Sequence, residues 1–84
     1  MSELKNVWGL ELKPYMDYRK VRVYYTKNGI DQNAVFMNFG VEKDNWAIIE
    51  EAHIVGNKLS KAEQKELATI LNNKEMFIKE LEND

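Results

Sequence analysis

Cationic and aromatic side chains alternate with apolar ones along residues 18–27, and of all segments in the sequence this one most resembles a binding surface. Arg22 and Tyr24 have the parity opposite to that of Val21 and Val23, so on a strand they point away from the apolar side chains. Aromatic rings can stack on nucleobases while cations follow the phosphates, and Arg and aromatic residues are also enriched at protein interfaces. The candidate binding residues are Tyr18, Arg19, Arg22, Tyr24 and Lys27.

Two classes of partner fit this basic and aromatic segment, and an ordinary solvated strand face is the third interpretation. Tyr and Thr favour strands whatever the function of the protein. Residues 1–30 contain six of the 12 Lys and Arg residues but only three of the 14 Asp and Glu residues, whereas the whole chain has a net charge of −2. That net charge is not typical of a general DNA-binding protein. We therefore favour a protein partner and keep single-stranded nucleic acid as the alternative.

Few residues in the chain have the types and spacing that catalysis or metal binding requires. His53 is the single histidine, Cys is absent, and on a strand Glu51 would share its face while Glu50 points away. Two adjacent ligands do not define a metal site. Neither Ser2 nor Ser60 has a setting that indicates activation as a nucleophile. Catalysis by a pair of carboxylates acting as acid and base is an open alternative, because Asp and Glu are plentiful. We nevertheless expect a non-enzymatic protein without a metal ion or cofactor.

The length and composition are typical of one small globular domain that spans residues 1–84. Hydrophobic residues make up 44% of the chain and charged residues 31%, which is ordinary for such a domain. The chain has no Cys, no apolar leader and no apolar run long enough to cross a bilayer, so we expect a cytoplasmic protein without membrane contact. Its Lys and Asn content is typical of a bacterial or phage source.

Apolar residues that recur with a period of two predict strands over residues 7–13, 20–27 and about 33–39. Asn28 and Gly29 indicate a tight turn after the second of these strands, because both residue types tolerate a positive φ. The third strand is expected to begin only near Asn33, which leaves the register of this hairpin open.

Two faces of the predicted strands are expected to need a cover. Val21 and Val23 share one side of their strand, and Val35 and Met37 share one side of the next. Residues 46–55 fit either a strand or a helix, and we favour the strand because Ile and Val are abundant there.

A helix over about residues 60–82 would supply that cover. Ser60 and Glu63 have the spacing of a capping box, which marks the start of a helix. Asn72 and Asn73 are poor helix formers and indicate a kink or break near Asn73. The apolar stripe of this helix consists of Leu67, Ile70 and Leu71 before that point and of Phe77, Ile78 and Leu81 after it.

These elements together predict an α+β domain, in which a small antiparallel sheet of three to four strands, within about residues 7–55, packs against a C-terminal α-helix. The favoured function is that of a small non-enzymatic regulatory protein, such as a phage or bacterial accessory or inhibitor protein. It would act by covering or bridging a macromolecular partner. A homodimer is a further alternative, because the exposed edges of a small sheet can pair across a two-fold axis.

Overall fold

The computed structural model describes residues 4–12, 18–39 and 45–80 and contains one five-stranded sheet and one helix within those ranges. The strand order is β4-β3-β2-β1-β5, in which β5 runs parallel to β1 and every other pair is antiparallel. The predicted α+β class is confirmed, although the sheet is mixed and has more strands than expected. The elements are β1 Lys5–Glu11, β2 Tyr18–Lys27, β3 Ile30–Phe39, β4 Trp46–Ala52, α1 Lys61–Asn73 and β5 Phe77–Glu80.

The β2–β3 hairpin turns within two residues. Lys27 pairs with Ile30, and between them Asn28 and Gly29 have φ values of 53° and 76°. Two successive positive φ angles match the twist of the flanking strands, so no longer loop is needed. The expectation that β3 begins near Asn33 is therefore wrong by three residues.

This turn fixes which side chains of β3 face the helix. Val21 pairs with Phe36, whereas Arg22 pairs with Val35, and directly paired residues point to the same side of a sheet. Val35 and Met37 thus lie on the side opposite to Val21, and the expectation that all of them share one covered face is wrong. A change of register by one residue exchanges the two faces of a strand, so the position of the turn decides which side chains face α1. Val35 and Met37 are nonetheless buried on the other side of the sheet.

The helix α1 begins as its capping box predicts. The Ser60 hydroxyl accepts a hydrogen bond from the Glu63 backbone N–H at 3.1 Å, and the Glu63 carboxylate accepts one from the Ser60 N–H at 2.9 Å. Two leucines of the helix are buried against the sheet. The main core cluster consists of Val21, Val23, Tyr25, Ala34, Phe36, Leu59, Leu67, Leu71 and Met76.

The helix ends earlier than its apolar stripe predicts. Lys74 adopts the left-handed conformation at φ 53°, and its N–H bonds the carbonyls of Ile70 and Leu71. The chain then turns away and residues Phe77–Glu80 form β5, so the expected helix to about residue 82 is wrong. The free edge of β1 pairs with these residues at four positions, and the backbone hydrogen bonds of this pairing override their helical spacing. The strand predicted in residues 46–55 is confirmed over Trp46–Ala52 as β4, and residues 53–55 lie beyond its end.

Candidate functional site

Three aromatic side chains stand side by side on the face of the sheet that points away from α1. Trp8 on β1 is paired with Tyr24 on β2 and with Phe77 on β5, and we call these three residues the aromatic row. The rings of Trp8 and Tyr24 stack, with their centroids 4.3 Å apart and their planes at 12°. Trp8 is 36% exposed and Phe77 is 68% exposed, so the row presents apolar surface to solvent.

A bulge in β1 sets the position of the row. The register between β1 and β2 shifts between Lys5 and Trp8, and Asn6 within that stretch has a φ of 54°. The extra residue places Trp8 opposite Tyr24, where the two side chains meet as a cross-strand pair. Because β1 lies between β2 and β5, the same residue also meets Phe77.

A second row next to the aromatic row carries positive charge. Arg22, Leu10 and Lys79 are paired across the same three strands, and Lys20 follows on β2. We call the side of β2, β1 and β5 that points away from α1 the open face. Among the described residues of these three strands, none of those on the open face is Asp or Glu.

The open face includes three of the five residues that the sequence marks as candidates for binding. Tyr18, Arg22 and Tyr24 have the same parity on β2 and share this face. The guanidinium of Arg22 donates a hydrogen bond to Asn33 Oδ1 at 2.9 Å and lies 3.8 Å from the Glu50 carboxylate. These contacts hold Arg22 towards β3 and β4, at one border of the open face.

The other two candidates, Arg19 and Lys27, have the opposite parity and lie on the side of the sheet that α1 covers. Arg19 Nε donates to Glu11 Oε1 at 2.7 Å, and its guanidinium lies 5.8 Å from the centroid of the Trp46 ring. Lys27 Nζ donates to the carboxylate of Glu63, also at 2.7 Å. The five residues therefore do not form one continuous surface, because neighbours along a strand alternate between its faces.

Among the residues of the open face that sequence reasoning did not select are Trp8, Phe77 and Lys79. The parity that Trp8 shares with Leu10 was a usable signal, since it indicates one common side of β1. Phe77 and Lys79 gave no local signal of this kind, because the spacing of Phe77 continues the helical stripe.

The side chains of His53 and Glu51, which could take part in catalysis or metal binding, make contacts within the fold. His53 Nδ1 lies 3.6 Å from Glu51, whose carboxylate accepts a hydrogen bond from the Leu59 N–H at 2.8 Å. Within residues 4–12, 18–39 and 45–80, no three His, Asp or Glu side chains lie close enough to hold a metal ion together. No helix in that part of the chain has the length and apolar character needed to cross a membrane.

Comparisons of the chain with protein-family models, with curated proteins and with solved structures found no match. The function is therefore inferred from the geometry of the described residues alone.

Proposed function

We propose that this protein is a small non-enzymatic binding module that docks a protein partner on its open face. The observation that carries this proposal is the aromatic row, which places Trp8, Tyr24 and the 68% exposed Phe77 side by side on three adjacent strands. Trp and Tyr are among the residues that contribute most to binding at protein interfaces. A contiguous exposed apolar patch is a common mark of an interaction site.

The charges beside the row indicate the chemistry of the partner. Arg22 and Lys79 border the aromatic row, Lys20 follows Arg22 on β2, and the described residues of β2, β1 and β5 add no carboxylate to this face. Complementary charges around an apolar centre steer association and fix orientation. The partner is therefore a protein surface with an apolar centre and acidic residues around it. Docking of this kind regulates a partner by covering its surface or by bridging it to another molecule.

Contacts inside the chain favour a protein over the single-stranded nucleic acid that we kept as the alternative. Two of the cations that the sequence offers to a phosphate backbone, Arg19 and Lys27, lie on the opposite side of the sheet and already contact carboxylates: Arg19 meets Glu11 at 2.7 Å and Lys27 meets Glu63 at 2.7 Å. In addition, the two stacked rings of the aromatic row cover one face of each other and offer less surface to a base.

Affinity purification with matched variants tests the proposal. Phe77→Ala removes the most exposed ring of the row, and Ile54→Ala, at a 52% exposed residue far from the row in sequence, is the matched control. A partner that the wild type and Ile54→Ala recover and that Phe77→Ala loses is then purified. We expect its Kd to rise by at least about tenfold with Phe77→Ala and with the double variant Arg22→Glu/Tyr24→Ala. Equal recovery by the wild type and Phe77→Ala would overturn the proposal.

A second measurement separates the two classes of partner. Fluorescence anisotropy with labelled single-stranded DNA and RNA oligonucleotides is recorded at low and moderate salt. Phosphate contacts release counterions, so nucleic-acid binding weakens steeply as salt rises. Tight, salt-sensitive binding that Phe77→Ala abolishes would reassign the open face to nucleic acid.

A further inference from the structure

A groove runs between β4 and α1, on the side of the sheet opposite to the open face. Its volume is about 570 Å³, and it is open to solvent along its length. Phe36, Trp46, Ile48 and Ala68 supply apolar surface, and Lys61 and Lys65 stand on the helical wall together with polar side chains. None of the residues that line the groove is Asp or Glu. An open groove with these properties suits an extended chain better than a small molecule, which binds in more enclosed sites.

The strand that forms one wall of this groove is an edge strand. β4 pairs with β3 on one side, and on its other side no residue of the described ranges pairs with it. The backbone groups on such an edge are a template for an additional strand. A chain that paired there would lie directly beside the groove, and every second side chain could enter it.

Exposed apolar side chains mark the same edge. The register between β3 and β4 shifts at a bulge that leaves Ile49 without a partner on β3, and Ile49 is 47% exposed. In the turn after β4, Ile54 is 52% exposed and Val55 is fully exposed. These residues are separate from the aromatic row. The bulge also interrupts the edge, so it limits pairing beside the groove to the short stretch 46–48.

We propose that the edge of β4 and the adjoining groove bind a short, extended, acidic segment of a protein partner by strand addition. Backbone hydrogen bonds to residues 46–48 would supply affinity, and the apolar floor would accept alternate side chains of the segment. Lys61 and Lys65 select acidic residues, because the groove contains two cations and no carboxylate. This site does not depend on the open face.

Synthetic peptides test this proposal directly. The probe is a short fluorescein-labelled peptide that repeats Val-Thr-Glu-Thr, so that Val and Glu share one face of the added strand; we call it the Glu/Val peptide. Its binding is measured by fluorescence anisotropy, and its counterpart, the Lys/Val peptide, has Lys in place of Glu. We expect the Glu/Val peptide to bind and the Lys/Val peptide not to bind. Two further versions carry N-methyl groups on every Thr or on every Val and Glu. Only alternate N–H groups of an added strand face the strand it joins, so one N-methylated version should lose binding and the other should keep it.

Charge reversals in the protein locate the peptide. Lys65→Glu changes an exposed helical residue of the groove, and Lys79→Glu makes the same change on the open face. Lys65→Glu should weaken binding of the Glu/Val peptide by roughly three- to tenfold, whereas Lys79→Glu and Phe77→Ala should leave it unchanged. Phe77→Ala disrupts the aromatic row but not the groove, so it shows whether binding of the peptide fails independently of docking on the open face.

Four results would overturn the proposal. In the first, the Glu/Val peptide does not bind. In the second, Lys65→Glu and Lys79→Glu lower the affinity for this peptide equally. In the third, both N-methylated peptides bind as well as the unmodified one. The fourth is a dimer, detected by light scattering, that Ile49→Lys dissociates, because a second copy of the chain would then occupy the edge of β4.

Discussion

The Lys27 ammonium group lies 2.7 Å from the Glu63 carboxylate and ties the end of β2 to the first turn of α1. The same ammonium donates to the Lys58 carbonyl, also at 2.7 Å. Burial alone would raise the pKa of Glu63, but the hydrogen bonds from Lys27 and Ser60 outweigh it and lower that pKa below its ordinary value of 4.5. The ion pair and the capping box thus share one carboxylate.

Glu63→Gln is expected to separate these two roles, because Gln also completes a capping box but carries no charge. A lowered pKa in the folded state stabilises the fold above pH 4.5, and this contribution is lost as the pH falls through the folded value. The variant should lose about 1–2 kcal/mol at neutral pH and show a shallower loss of stability in acid. Urea denaturation over a pH series measures both effects. Glu75→Gln, at an exposed residue, is the control; an unchanged acid slope in Glu63→Gln would contradict this account.

Tyr25→Phe should improve tolerance of alkaline pH. Burial raises the pKa of the Tyr25 phenol above 10.0, a hydrogen bond from Gln32 opposes the rise, and the charges of Glu51 and Glu63 add to it. A raised pKa in the folded state means that stability is lost as the pH rises above 10.0, and Phe removes this loss. The cost at neutral pH should be below about 1 kcal/mol, since the Gln32 amide also donates to the Asn57 carbonyl at 3.1 Å. If the wild type and Tyr25→Phe lose stability to the same extent as the pH rises in alkaline denaturation curves, ionisation of Tyr25 is not the cause.

Gly9→Ala tests how closely β1 approaches the core. A Cβ at residue 9 would lie 2.8 Å from Val21 Cγ1 and 3.3 Å from Met76 Sδ. We expect a loss of about 1–3 kcal/mol from overpacking. Adding Val21→Ala removes the clashing methyl group, so the double variant should be more stable than the two single losses predict when added. Gly29→Ala is the control, because its Cβ would meet no atom and its cost comes from a φ of 76°. That cost should add to the cost of Val21→Ala.

The stack of Trp8 on Tyr24 should appear as a coupling energy. A double-mutant cycle with Trp8→Ala and Tyr24→Ala, measured by thermal or urea denaturation, is expected to give about 0.5–1.5 kcal/mol. As a control, the same cycle is measured with Trp8→Ala and Thr69→Ala. Thr69 lies on α1, on the opposite side of the sheet from Trp8, so the coupling energy should be near zero. A coupling near zero for the stacked pair would show that the contact contributes little beyond the burial of each ring.

Local patterns in the sequence predicted the parts of the fold that depend on near neighbours. The period of two along β2 identified Val21, Val23 and Tyr25 as core residues, and all three are buried. The spacing of Ser60 and Glu63 located the start of α1, because a capping box is complete within four residues.

The parts that the sequence did not predict depend on contacts between distant residues. Phe77 has the spacing of a helical stripe, and only the free edge of β1 makes its segment a strand. The side of the sheet on which Val35 lies depends on the hairpin register, which local pattern leaves open. Within the candidate site, the sequence prediction grouped Arg19 and Lys27 with the other candidates, although the alternation along β2 already places these two on the opposite face, whereas the contribution of β5 required the structure.

The parallel pairing of β5 with β1 also determines when the aromatic row can form during synthesis and folding of the chain. Trp8 and Phe77 meet only after β5 has left the ribosome, and a contact over so long a stretch of sequence forms slowly. A nascent or truncated chain could therefore fold its central hairpin and still lack one third of the aromatic row. A partner that requires all three rings would bind only those molecules in which β5 has joined the sheet.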